Sequence, residues 1–218
     1  MGEFDFSVIF DNLPFLLKGI QTTLLLTFLA MVGGIVLGTL LALARISSIK
    51  PLSIVAASYI NFFRSLPLIL VIFWFYFLVP LVLGRPVGGF YSVLVAFTLF
   101  EAAYYAEIIR AGITSVRAGQ FQAARAVGLT YGQSMRFIVL PQAFKAMVPV
   151  LLTQGIILFQ DTSLVYVVGL KDFLVSAELI ANRDQLLIEM FTFVAIVYLI
   201  ISYSASQGVR LLQRRMQR

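Results

Sequence analysis

Charge is spaced along this chain in a way that leaves few folds open. Residues 19–44 form an uncharged run of 26, residues 65–84 one of 20, and residues 190–209 another of 20. A helix needs about 20 apolar residues to cross about 30 Å of hydrocarbon, so each run is long enough to span a bilayer. Two further segments qualify once acids are admitted: 86–109 holds Glu101 and Glu107, and 146–170 holds Asp161. Acids at such depth are costly unless they face protein or water. Only 12% of the residues are charged, against about 25% in soluble domains. The expectation is an all-α integral membrane protein, one domain over residues 1–218. Its spans fall roughly at 19–45, 56–83, 87–112, 142–166 and 188–211. Segment 1–18 is acidic and the run after it is too long for an h-region, so no cleaved signal peptide is expected.

The same composition narrows the chemistry. Cysteine and histidine are absent, which removes thiol nucleophiles, imidazole bases and the usual zinc ligand sets. No GxxxxGK[ST] phosphate cradle occurs either. We therefore expect no enzyme, no metal and no cofactor in this chain.

Lys and Arg sort by side as the positive-inside rule requires. Of 16 basic residues, 11 fall between spans one and two, between spans three and four, or after span five. The other face carries Lys18, Arg85, Lys171 and Arg183 together with seven acids, Glu3, Asp5, Asp11, Asp172, Glu178, Asp184 and Glu189. The N-terminus is expected outside and the C-terminus in the cytoplasm. The formal charge of +6 is thereby mostly a topology signal, and no nucleic-acid partner is expected.

The largest cytoplasmic feature, roughly 113–141, contains no acid. Its first part, 115–127, has helical spacing. Gly128 can end that helix in a left-handed conformation, with Leu129 as the hydrophobic partner of the cap, and Pro141 is expected to break the chain before the fourth span. The segment suits an amphipathic helix lying on the membrane and equally a docking surface with small residues and arginines.

The stretch Gln122-Ala123-Ala124, Gly128 and Ile138-Val139-Leu140-Pro141 resembles the EAA loop of membrane subunits of ATP-binding-cassette importers. Phe63-Arg64-Ser65-Leu66-Pro67-Leu68, the run 103–113 and Asp161-Thr162-Ser163-Leu164 look like the polar amino-acid permease family. The wording of 158–167 looks most like a glutamate/aspartate importer membrane subunit. The resemblance covers nearly the whole chain. It implies a type I importer permease fold in a bacterial cytoplasmic (inner) membrane, moving glutamate or aspartate by alternating access. It also implies two ATPase subunits that bind ATP and Mg, a second permease subunit, similar or identical, and an extracytoplasmic solute-binding protein. Coupling to the ATPase then falls to Gly119, Gln122, Ala123, Ala124, Arg125 and Gly128. The family often has Glu at the place of Gln122 and Lys at the place of Gln160. Permeases of the same family for glutamine or basic amino acids remain open, as does a membrane scaffold that recruits a soluble partner.

Within the spans, polar residues mark candidate positions along a substrate path. Arg64 suits either snorkelling to headgroups or bidentate contact with a carboxylate. Pro67 marks a broken helix whose freed backbone groups can meet a solute. Glu101 lies about 22 Å along its helix from Pro86, where it suits either an amino group or a structural partner. Tyr104 and Tyr105 follow about a turn later. Glu107 and Arg110 are spaced to pair. Asp161, Thr162 and Ser163 are expected to cap a break in the fourth span. Gly34 and Gly38 form a GxxxG step that permits close helix packing; residues 74–77 read as an interfacial aromatic belt, and 168–189 as a surface stretch.

Overall fold

The computed structural model describes residues 7–216; Glu3, Asp5 and Arg218, which entered the charge count, lie outside them. The described residues are helical, without strands: α1 (Ser7–Asp11), α2 (Leu13–Ile46), α3 (Lys50–Arg64), α4 (Leu68–Phe73), a π-helical turn (Trp74–Leu78), α5 (Val79–Leu83), α6 (Gly89–Thr114), α7 (Ala118–Ala126), α8 (Tyr131–Ser134), a second π turn (Met135–Val139), α9 (Leu140–Asp161), a 3-10 segment (Thr162–Val168), α10 (Phe173–Asp184) and α11 (Leu187–Met216). Four helical stretches are long and apolar enough to cross a membrane: Leu13–Ile46, Gly89–Thr114, Tyr131–Val168 and Leu187–Met216. The pair Lys50–Arg64 and Leu68–Leu83, bent by 103° at its break, supplies a fifth. Pro67 sits at that break in extended backbone, φ −64° and ψ 132°, because the residues before a proline are pushed out of helical geometry and its own nitrogen cannot donate.

Two compact units are distinguished. One comprises residues 33–66, 99–155 and 206 onward. In it, α2 meets α6 at the GxxxG step. A Cβ on Gly38 would lie 2.8 Å from Tyr105 Cβ and 2.9 Å from the Ala102 carbonyl, and one on Gly34 would lie 3.0 Å from the Tyr105 ring. The glycines thus serve packing within the chain, where backbones approach too closely for any side chain. Ala42, Ile60, Ala106, Ile109 and Met147 continue this core.

The other unit comprises residues up to 32, 67–98 and 156–205. Its core joins Leu16 of α2, Phe173, Ala177 and Ile180 of α10, and Met190 and Val194 of α11. Gly19 permits the approach here: a Cβ would lie 2.7 Å from the Asp172 carbonyl and 2.6 Å from Ser176 Oγ.

Three local expectations are corrected. Pro141 does not break the chain, for Tyr131–Val168 runs through it as one stretch. The π turn just before absorbs the lost donor by widening the hydrogen-bond ladder. Asp161, Thr162 and Ser163 do not cap a new helix; α9 tightens into the 3-10 segment there. The 168–189 region is no mere surface stretch, since Phe173, Val175, Ser176, Ala177, Ile180 and Ala181 are buried.

Candidate functional site

Three groups of residues carry the polar chemistry. In the first, Arg64 ends α3 exposed, with its guanidinium 5.5 Å from the centre of the Tyr104 ring. That distance suits a cation–π contact. Tyr104 in turn packs on Phe100 at 5.2 Å. One turn away, Glu101 is fully buried. The Gln154 amide of α9 donates to both its oxygens, at 3.3 Å to Oε1 and 3.1 Å to Oε2, so a buried acid is satisfied from a neighbouring helix. Tyr105 is also fully buried and its hydroxyl has no hydrogen-bond partner among the described residues. Glu107 and Arg110 form the ion pair their spacing requires. The structure therefore brings Arg64 to Tyr104, and Glu101 to Gln154.

The second group belongs to the other unit. Thr162 is buried and its hydroxyl donates to the Phe159 carbonyl at 2.6 Å. Ser163 lines a cavity of about 350 Å³ together with Gln160, Leu174, Val194 and Tyr198. The wall is mostly apolar, with the Gln160 amide and the Ser163 hydroxyl as its polar side chains, the pattern of a few polar groups in an apolar pocket that suits a small ligand. Asp161, half-buried, adjoins both Gln160 and Thr162 in sequence. Two residues before Leu174 of the cavity wall, Asp172 is the N-cap of α10: its Oδ1 accepts from the Val175 amide at 2.8 Å. Thr23 of α2 accepts from the Phe173 amide at 3.1 Å across 150 residues of sequence.

The third group is the segment between α6 and α9. Helix α7 ends in a full Schellman motif: the Leu129 amide donates to the Ala124 carbonyl at 3.1 Å and the Gly128 amide to the Arg125 carbonyl at 3.0 Å. Gly128 has φ +86°, as that motif demands. A capping box between Thr130 and Gln133 starts the next helix. Gly119, Gln122, Ala123, Arg125 and Gly128 are exposed, while Ala124 is turned inward. Val127, 78% exposed, and Tyr131, 65% exposed, extend the same segment. Arg125 is partly occupied by its bond to the Leu129 carbonyl at 3.2 Å. Capped ends thus flank an exposed helix of small residues.

Gln154 and Tyr198 were not among the residues singled out from sequence, and Asp172 figured there only as an external charge. A scan for charge gaps passes over Gln154 and Tyr198, which are uncharged. Asp172 carried a usable signal, an N-cap residue directly before an apolar helical run.

The described helices include four long and apolar enough to cross a membrane, and a fifth if the bent pair is one span, which defines a multi-span membrane protein. The chain belongs to the family described as binding-protein-dependent transport system inner membrane component, which it matches over residues 11–218. It is 53% identical over 222 residues, 99% of each chain, to the glutamate/aspartate import permease protein GltK of Escherichia coli O6:H1. It is 39% identical to the probable glutamine ABC transporter permease protein GlnM of Bacillus subtilis, over 97% of this chain and 98% of the relative. The solved structure described as an amino acid ABC transporter with histidines superposes with a TM-score of 0.93 at 34% identity, covering 99% of this chain and 100% of the other. As a permease component of that transport family, the chain resides in the inner membrane and serves translocation.

Proposed function

We propose that this chain is the permease subunit through which an ATP-driven importer moves glutamate or aspartate into the cytoplasm by alternating access. The observation that carries this reading is the 53% identity, spanning 99% of both chains, to a glutamate/aspartate import permease. The glutamine-permease relative, at 39% identity over 97% of the chain, favours glutamine as a second reading.

The mechanism follows from the three groups of residues. Two ATPase subunits bind ATP and Mg and seize the handle at Gly119, Gln122, Ala123, Arg125 and Gly128, with Ala124 anchoring α7 from beneath. An amide at Gln122 supplies both a donor and an acceptor there. The spans, acting as one permease domain with a second permease subunit, switch between two arrangements when ATP binds. Such a switch needs only a few kcal/mol of differential binding. A solute-binding protein delivers the amino acid at the N-terminal, external face. In one unit Asp161, Ser163 and the break at Pro67 offer polar contacts to the solute, with Thr162 buried behind them and bonded to the Phe159 carbonyl; in the other, Arg64 and Tyr104 offer a cation and an aromatic face to a carboxylate. Gln160, where related chains carry Lys, reduces the positive charge beside Asp161. The Gln154 amide on Glu101 supports reading that acid as a link between helices rather than as a substrate ligand.

The test is uptake by proteoliposomes containing the full transporter, with ATP inside and loaded binding protein outside. Labelled glutamate and aspartate should accumulate and compete with each other, while arginine and histidine should not. Accumulation of glutamine alone would replace the acidic-substrate reading. Sidedness is checked with Arg117→Cys in this cysteine-free chain: a membrane-impermeant thiol reagent should react from the cytoplasmic side only.

A further inference from the structure

Asp172 and Tyr198 each lack what the other offers. Asp172 is fully buried, and while Oδ1 caps α10, Oδ2 meets no donor among the described residues. An ionised carboxylate only accepts hydrogen bonds, and a buried acceptor without a donor is costly. The Tyr198 hydroxyl is likewise buried without a hydrogen bond of its own. It lies beside the hydroxyls of Thr23 and Thr162 and within electrostatic reach of Asp172.

The two are also joined through their surroundings. The Tyr198 ring lines the cavity and rests between Phe159, at 5.1 Å, and Phe173, at 5.9 Å. Phe173 follows Asp172 directly, and its amide is tied to Thr23. The Asp172 cap and the cavity-lining Tyr198 ring are thus connected through Phe173.

We propose that Asp172 is a positioning residue for transport: as the cavity closes, Oδ2 accepts from the Tyr198 hydroxyl and holds that phenol, and uptake of a proton by the carboxylate releases it. This inference rests on the transport reading above.

Burial pushes the Asp172 carboxyl up from 3.8 to about 6, against the pull of the backbone amides at the helix start and with a further upward push from Glu178. Its own helix carries Glu178, Arg183 and Asp184, with Lys171 just before it; α2 carries Lys18 and Arg45, α9 ends in Asp161, and α11 carries Glu189, Tyr198, Tyr203, Arg210, Arg214 and Arg215. Of these, Glu178 is the charge that acts on the Asp172 carboxyl, and Tyr198 is the group on which Asp172 acts. The ionised form therefore prevails at neutral pH and holds Tyr198. Below about 6 the protonated form loses its acceptor at that oxygen.

The experiment measures the KM and maximal rate of ATP-driven glutamate uptake in proteoliposomes bearing the full transporter, at external pH from 5 to 8. In wild type, KM should rise by roughly tenfold on acidification, the factor a lost hydrogen bond to a charged group supports, with its midpoint near 6. Asp172→Asn retains a cap oxygen for Val175 but presents a donor where Oδ2 stood. It should show the raised KM at every pH, and Tyr198→Phe should do the same. The double variant should be no worse than either single one, which a merely structural role for Asp172 would not produce. If Asp172→Asn fails to assemble, Tyr198→Phe, which leaves the cap intact, carries the test through its flat profile. A wild-type pH response retained in either variant overturns the inference alone. Failure of wild type to accumulate glutamate, aspartate or glutamine overturns the transport reading and this inference with it.

Discussion

Among the described residues two carboxyl groups are fully buried, Glu101 and Asp172, and they are treated in opposite ways. Glu101, inside the span formed by α6, has both oxygens met by the one amide of Gln154. Asp172, between the last two long helical stretches, has one oxygen engaged as a helix cap and the other unmatched. A satisfied buried polar pair fixes two helices against each other. A half-satisfied one leaves energy to be gained by movement. The difference separates a group that holds the fold from one that can respond to its surroundings.

That contrast can be broken by substitution, and the largest effect is expected where packing admits no adjustment. Gly38→Leu places carbon against the Ala102 carbonyl and the Tyr105 side chain at under 3 Å, so α2 and α6 must separate around Glu101. Overpacking costs about 1–3 kcal/mol and often more where backbone opposes it. The level of assembled transporter in membranes should fall to near zero; normal assembly would show that the close contact is dispensable.

Asp172 comes next, and its effect depends on pH. Its carboxyl is raised in the folded protein, so its stabilising contribution is complete below about 3.8 and is lost as pH rises through about 6. A rise of about two units corresponds to about 3 kcal/mol. Wild type should therefore lose thermal stability relative to Asp172→Asn between pH 4 and 7, read by unfolding of the detergent-solubilised complex. Parallel curves for the two proteins would remove the strained carboxylate from the account.

Glu101→Ala strands the Gln154 amide, a loss of about 1–3 kcal/mol, and should lower the unfolding midpoint by the same amount at pH 5 and pH 8. Gln154→Ala should match it, and the double variant should cost little more than either. A strongly additive pair would mean the two side chains act separately. The smallest effect belongs to Arg183 and Asp184, which pair at 2.6 Å on the surface. Arg183 holds the Asp184 carboxyl below its usual range, yet exposed pairs contribute little. Arg183→Gln should leave the unfolding midpoint unchanged at 0.5 M salt.

The same contrast explains how much of the molecule was legible in its sequence. Spanning helices announce themselves through absent charge, and the uncharged runs at 19–44 and 190–209 lie within α2 and α11. Local chain chemistry was equally readable: Gly128 terminates α7 in a left-handed conformation and Pro67 interrupts the second span. Partners across space were not. Nothing near Glu101 in sequence points to Gln154, 53 residues on, and nothing near Phe173 points to Thr23. Pro141 misled because its effect depends on whether the turn before it can widen, and Met135–Val139 does so. The GxxxG step of Gly34 and Gly38 named a close contact without naming its partner, which is α6 of the same chain.

In the proposed transport cycle an exposed, acid-free segment passes the ATPase cycle to the spans. Gly128 tests it at the end of α7: a Cβ there meets nothing within 4 Å, so the effect of a substitution comes from the strain of the positive φ on the Schellman turn and not from a clash. The decisive measurement is glutamate accumulation per ATP hydrolysed in proteoliposomes carrying Gly128→Val beside wild type. Coupled accumulation in wild type and loss of accumulation in the variant, with the complex still assembled, is the predicted result; an unchanged ratio in Gly128→Val would contradict it.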